Sequence, residues 1–389
     1  MKKILLIVLD GAPDTMRPSP LQLAKTPNLD YMAEQGICGL LDNEIAEKDF
    51  SEAANFNILG YPEHPGRGYT EAVGAGLEPG ENDICFRCNF ATVNENFIVL
   101  DRRAGREETG LDEMALALDG MRIKDCEITF KHTLGHRAVL IISGEELCEH
   151  VSANDPGREG ERVLESHPTV PESHAFFPAA KRTAKILNEF TKRSYKILSG
   201  HEANEKRKVY ANIVLSRTPG KRMPMQTFTE KYGLKAACIA AATGTLGVAK
   251  ILGMHAERAG NGMLTTNLAE KLEKTLSLLK THDFVWLHIK GTDIAAHDRN
   301  YRAKTEFIER VDREIFAELV NLENTLVVVT SDHITSSQSG EHVLGYVPIL
   351  MYNAGERDGV RNFDEESVRA GALGIIGASD LMEKLLALR

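Results

Sequence analysis

The sequence predicts an α/β protein: a mostly parallel sheet flanked by helices, with a smaller α+β unit inserted into it. Two observations carry this reading. Nearly continuous apolar, β-rich runs recur at KILLIVL (3–9), KAACIAAA (235–242), FVWLHI (284–289), TLVVVTS (325–331) and VPILMY (347–352), as expected of strands buried on both faces. Helical patterns separate them, and buried strands alternating with helices build parallel sheets covered on both sides. The middle of the chain has a different texture. Shorter alternating segments, ICFRCNFATV, NFIVLDRR, EITFK and HRAVLIIS, precede one helix, FFPAAKRTAKILNEFTKRSYKIL, and a Pro/Gly/basic loop, RTPGKRMPM (217–225).

The 389 residues exceed the size at which one hydrophobic core stops growing, so two domains are expected. We expect a discontinuous core at 1–79 and 221–389, and an insertion at 80–220. Among the core helices, TPNLDYMAEQG offers Thr26 as N-cap, Pro27 at the first helical position and Gly36 as stop. Residues 265–282 and 301–320 read as long amphipathic helices. The segment EAANFNILG after Ser51 also reads helical.

Composition excludes several function classes. A net charge of −10 argues against nucleic-acid binding. The apolar N-terminal run ends in Asp10 without a small-residue cleavage site, and no stretch reaches the length of a transmembrane helix. No membrane association and a cytoplasmic location are therefore expected. The six cysteines are too scattered for a disulfide framework, and Cys85 and Cys88 read as ordinary strand residues.

In parallel sheets, ligands bind beyond the carboxyl ends of the strands. Asp10 ends the first run. Asp293 follows the strand that contains His288, and Asp332-His333 follow TLVVVTS. Asp293 and His297 are one helical turn apart and so share a face. His342 lies beyond the polar loop after His333. Three carboxylates and three imidazoles suit zinc, manganese or a similar divalent ion better than calcium. Six protein ligands are too many for one catalytic ion but fit two. Two such ions leave room for one more anion, such as a serine alkoxide.

Several segments together resemble a known family, the archaeal-type cofactor-independent phosphoglycerate mutases of the alkaline phosphatase superfamily. They are VLDGAPD (8–14), LAKTPNLD (23–30), ILGY (58–61), RGYTEAVGAGL (67–77), ICFRCNFATV (84–93), DRRAGR (101–106), GHRAVL (135–140), AKRTAKILNEFTKRSY (180–195), HIKGTDIAAHD (288–298) and SDHITSSQSGEHV (331–343). The resemblance implies an alkaline-phosphatase-like core and two divalent ions, of manganese, zinc, cobalt or magnesium. One would be held by Asp10, Ser51, Asp332 and His333, the other by Asp293, His297 and His342. It implies Ser51 as a nucleophile that takes the phosphoryl group of a small phosphorylated three-carbon acid and returns it to the neighbouring hydroxyl. No bisphosphoglycerate is needed, and such enzymes are monomers or small homo-oligomers. In place of the family's Ser-Asp-Thr-Ala-His, this chain has Ser51-Glu52-Ala53-Ala54-Asn55. A serine here could also cap the following helix, whose positive end favours an oxyanion.

The substrate's carboxylate and phosphate call for guanidinium groups. Arg102, Arg103 and Arg106 of DRRAGR are candidates, with Arg87, Arg137 and Lys290. The insertion would then close over the core and exclude water from a phosphoserine. Two other readings use the same residues: a metal-dependent phosphatase or phosphodiesterase, and a non-catalytic relative acting as a binding protein.

Overall fold

A computed structural model describes residues 1–43, 45 and 50–389. The chain forms two compact units, residues 1–64 with 225–389, and residues 65–224. The division falls earlier than the expected 79/80 because the helix Arg67–Gly74 packs on strands Ile84–Val93 and Ile213–Lys221 of the second unit. Gly68 makes this possible. A Cβ there would collide with the Cys85 carbonyl.

The first unit is built on an eight-stranded sheet. Across the sheet the strands are His255–Arg258, Ala236–Ala240, Phe284–Ile289, Lys3–Leu9, Thr325–Thr330, Val347–Tyr352, Ile37–Asp42 and Gly374–Gly377. All are mutually parallel except Val347–Tyr352, which runs antiparallel to both its neighbours. Alternate residues of one strand feed two separate cores. Ile4, Leu6 and Val8 pack with Phe56, Phe228 and Trp286 on one face. Leu5, Ile7 and Leu9 pack with Leu29, Leu268 and Phe307 on the other. The helices that supply these residues lie on both faces, as a parallel sheet requires.

The helix that follows Thr26 spans Pro27–Glu34, but Thr26 makes no side-chain cap. Its free N–H groups are met from elsewhere. Asp312 Oδ1 accepts from Leu29 N at 2.7 Å, and its Oδ2 accepts from Asn28 N at 3.3 Å. Asp312 opens a π turn, Asp312–Phe316, within the otherwise α-helical stretch 301–319. That irregularity was not legible in the sequence pattern.

The second unit carries a six-stranded antiparallel sheet, with the helix Phe177–Leu198 burying Ala180, Ala184, Leu187 and Phe190 against one face. The stretch RTPGK, expected as loop, is instead the end of the strand Ile213–Lys221. Among the described residues, this strand pairs with Ile84–Val93 alone, across a register shift between Cys85 and Arg87. An edge position tolerates Pro219, which has no N–H to donate.

Replacing Asp312 by alanine should destabilise the protein by about 2 kcal/mol, because buried helix-start amides lose their acceptor. Denaturant melts of the variant against the parent chain would measure this.

Candidate metal and phosphoryl-transfer site

The three central strands of the first unit, Phe284–Ile289, Lys3–Leu9 and Thr325–Thr330, end side by side. Each delivers polar residues just past its last buried position: Lys290 and Asp293, Asp10, and Asp332-His333. The antiparallel strand contributes in the opposite sense. Because Val347–Tyr352 runs backwards, its start lies at this same edge, and the hairpin before it carries His342. The helix Gly291–His297 then places Asp293 and His297 on one face.

These residues meet. Asp293 Oδ1 lies 3.3 Å from Nε2 of both His297 and His342, and those two nitrogens are 3.1 Å apart. His297 Nδ1 donates to the Gly340 carbonyl at 2.7 Å, so its Nε2 presents a lone pair to the cluster. Asp10 Oδ1 lies 3.3 Å from His333 Nε2, and Asp332 Oδ2 lies 3.6 Å from the same nitrogen. Ser51 Oγ stands 3.0 Å from His333 Nε2. It sits inside the first turn of the helix Phe50–Ile58 rather than before it. Asp332 Oδ1 is held by the backbone N–H groups of Gly11 and His333, at 3.1 and 3.0 Å. Among the described residues, two sets of ligand atoms are compact enough to hold an ion, Asp10–Asp332–His333 and Asp293–His333–His342. His333 belongs to both.

Charge makes these groups suited to cations. Three buried carboxylates converge, and Lys290 answers two of them, at 2.7 Å from Asp10 Oδ2 and 2.9 Å from Asp293 Oδ2. Burial alone would raise the Asp10 carboxyl, but Lys290 and then His333 hold it well below the usual carboxylate range. Asp293 is held low in the same way against its burial, with Lys290 and His342 the main causes. At Asp332, burial and then the charge of Asp10 push the carboxyl up to about 7, and His333 and Lys290 pull it down without outweighing them. His333 is raised to about 9: burial opposes its charge, and Asp332 and Asp10 outweigh burial. Asp332 Oδ2 and both ring nitrogens of His288 lack any hydrogen-bond partner among the described residues. Buried orphans of this kind are rare. Lone pairs facing a site short of positive charge fit divalent cations with mixed N/O donors.

The six predicted strand-end ligands and Ser51 are thus brought together. Lys290, expected as a substrate contact, bridges two carboxylates of the site. The predicted arginines lie in the second unit. Arg102 forms a two-pronged pair with Asp155, at 3.0 and 2.8 Å. Arg103, Gly105 and Arg106 sit in a tight turn whose amides at 103 and 105 are held by Asp101, at 2.7 and 3.0 Å. Arg103, Arg106 and Arg158 line one cavity. Arg87 is buried, with Nε 2.8 Å from Glu71 Oε1. Arg137 begins the strand Arg137–Ser143 and, with Arg67 and Arg217, adds to the positive field around Glu71. Sequence reasoning missed Arg67, Arg217, Glu71, His288 and Thr335. His288 carried a usable signal, a polar residue inside a buried strand. Arg67 and Glu71, four residues apart in RGYTEAVGAGL, and Thr335 in SDHITSSQSGEHV lay in segments already singled out.

The family model of 2,3-bisphosphoglycerate-independent phosphoglycerate mutase matches residues 33–204. A mutase of that description from Methanopyrus kandleri is 38% identical, over 99% of this chain and 96% of its own. Another from Methanocaldococcus jannaschii is 39% identical, again over 99% and 96%. The chain belongs to this family. Among solved structures, the PH0037 protein of Pyrococcus horikoshii superposes with a TM-score of 0.81 at 31% identity, covering 100% of this chain and 97% of that one. The cofactor-independent phosphoglycerate mutase of Thermoplasma acidophilum does so with a TM-score of 0.65 at 32% identity, covering 100% and 99%. No described helix of this family member is long and apolar enough to cross a membrane.

A buried salt bridge braces the loops of the site. Lys304 Nζ reaches Asp14 Oδ2 at 2.9 Å and the Thr335 carbonyl at 2.8 Å. Asp14 also accepts from Ser337 N and Oγ. Burial works to raise the Asp14 carboxyl, and Lys304 and Ser337 outweigh it, so it lies below its ordinary 3.8. A depressed carboxyl stabilises the fold above its unfolded value and loses that contribution as pH falls through the folded value. Asp14→Asn should therefore cost about 3–5 kcal/mol near neutrality, where it strands a buried ammonium. Its deficit against the parent should shrink in thermal melts taken below pH 4, where the parent's own carboxyl begins to protonate.

Proposed function

We propose that this protein interconverts 2-phosphoglycerate and 3-phosphoglycerate through a phosphoserine on Ser51, without 2,3-bisphosphoglycerate. This makes it an isomerase of central carbon metabolism, acting in glycolysis and gluconeogenesis. Membership in the mutase family supports the reaction. The observation that carries the residue assignment is Ser51 Oγ at 3.0 Å from His333 Nε2, at the edge of a cluster of three buried carboxylates.

Asp10, Ser51, Asp332 and His333 would hold one divalent ion, and Asp293, His297 and His342 the other. Such ions supply positive charge that stabilises a deprotonated serine oxygen at neutral pH and offsets the charge of the phosphoryl group. Ser51 Oγ attacks the phosphorus of the substrate. A P–Oγ bond forms, the bond to the glycerate oxygen breaks, and that oxygen leaves as a hydroxyl by taking up the equivalent of the proton Ser51 gave up; the return step reverses this transfer. The neighbouring hydroxyl of the same glycerate then attacks phosphorus, the P–Oγ bond breaks, and Ser51 is regenerated. No phosphate is lost if water is kept away from the phosphoserine. Lys290 holds a positive charge at Asp10 and Asp293 throughout.

We assign the carboxylate and phosphate of the substrate to Arg102, Arg103 and Arg106, with Arg87 and Arg137. Planar forks with two parallel donors suit both anions. Arg102 already makes such a contact with Asp155, and Arg87 Nε lies 2.8 Å from Glu71 Oε1. Those carboxylates keep the guanidinium planes ordered before substrate arrives.

The reaction is tested by a coupled assay with 3-phosphoglycerate, enolase, added Mn²⁺ and no bisphosphoglycerate, following free phosphate in parallel. The expected result is 2-phosphoglycerate without phosphate. Phosphate release in its place would make the protein a phosphatase. Ser51→Ala should abolish turnover while costing about 1 kcal/mol or less of stability, as for other residues at a helix start. A fully active Ser51→Ala would rule out the covalent route.

A further inference from the structure

Thr335 is fully buried and lies where both halves of the site touch. Its Oγ1 is 2.9 Å from Asp293 Oδ1 and 3.1 Å from His333 Nδ1. Its backbone pairs across the short hairpin with His342. One residue therefore contacts a member of each set of candidate ligands and is registered against a third.

A threonine hydroxyl has one proton to give and lone pairs to receive. Thr335 Oγ1 donates to Asp293 Oδ1. The bond to His333 must then run the other way, with Nδ1–H donating to Oγ1. That leaves Nε2 as the ring atom facing Asp10 and Ser51. In a neutral imidazole, Nε2 so placed carries the lone pair. We propose that Thr335 is a positioning residue for the metal centre: its hydroxyl aims His333 Nε2 at Asp10 and Ser51 and fixes the Asp293 oxygen that His297 and His342 share. The inference rests on the two-metal reading above and adds a residue to it.

The surroundings hold Thr335 in turn. Its N–H donates to the Pro13 carbonyl at 3.2 Å, and its carbonyl accepts from Lys304. Gly11, at φ +61°, has no room for a Cβ because Thr335 Oγ1 fills that space. A β-branched side chain has few χ1 choices, so the hydroxyl direction is set by the backbone.

The test uses the full chain stripped of metal and titrated calorimetrically with Mn²⁺. Thr335→Val replaces the hydroxyl by a methyl of similar size. It should weaken Mn²⁺ binding by about 10- to 100-fold, the usual effect of losing a partner behind a ligand. Thr335→Ser should restore most of that loss, and Thr335→Ala should not. Serine and alanine differ here only by the hydroxyl, so this pair decides the matter even if the valine variant does not fold. Parent-like Mn²⁺ affinity in Thr335→Val, or equal weakening in Thr335→Ser and Thr335→Ala, would overturn the inference while leaving the two-metal reading intact. A parent chain that binds no Mn²⁺ would overturn both.

Discussion

Three carboxylates that cannot all be neutralised by the chain itself dominate this protein. Asp10, Asp293 and Asp332 are each less than 3% exposed, and isolated buried anions are costly. Lys290 forms ion pairs with Asp10 and Asp293. The remainder falls on Asp332 and His333, both displaced toward their protonated forms. Divalent cations held by these donors would offset the excess of negative charge.

Sheet topology creates this convergence at low cost. Three adjacent parallel strands end together, and the residues just past their ends leave the hydrophobic layers without leaving the protein. The single antiparallel strand matters as much. Its reversed direction brings the chain from the Asp332 loop back to the same edge with His342 on it. A wholly parallel sheet would need a long crossover between the two. The loops between these ends are not left to solvent. Asp14, Lys304 and Ser337 tie the N-terminal loop to the one that carries Thr335, in a network with no exposed charge.

The second unit follows a different logic. Its antiparallel sheet buries one face under a long helix and sets arginines against Glu71 and Asp155. Pairing lowers the cost of burying guanidinium groups and fixes their planes. Arg102 and Asp155 are far apart in sequence, so the basic run DRRAGR was visible while the partner that orders Arg102 was not.

The strands, their burial on both faces, and the carboxylates and imidazoles at their ends were legible in the sequence by itself. Apolar runs and the residues that terminate them are local features, and a parallel sheet gathers strand ends whatever its loops do. Family segments extended this to Ser51, whose own residue type says nothing. Only the tertiary structure decided which partner each group received. It gave Lys290 to two carboxylates, Asp312 in place of Thr26 to the helix at Pro27, and a strand in place of a loop to RTPGK. It also gave Thr335 to both halves of the site. Each of these is a pairing between distant segments, decided by where backbone groups and charges were left unmet once the layers had packed.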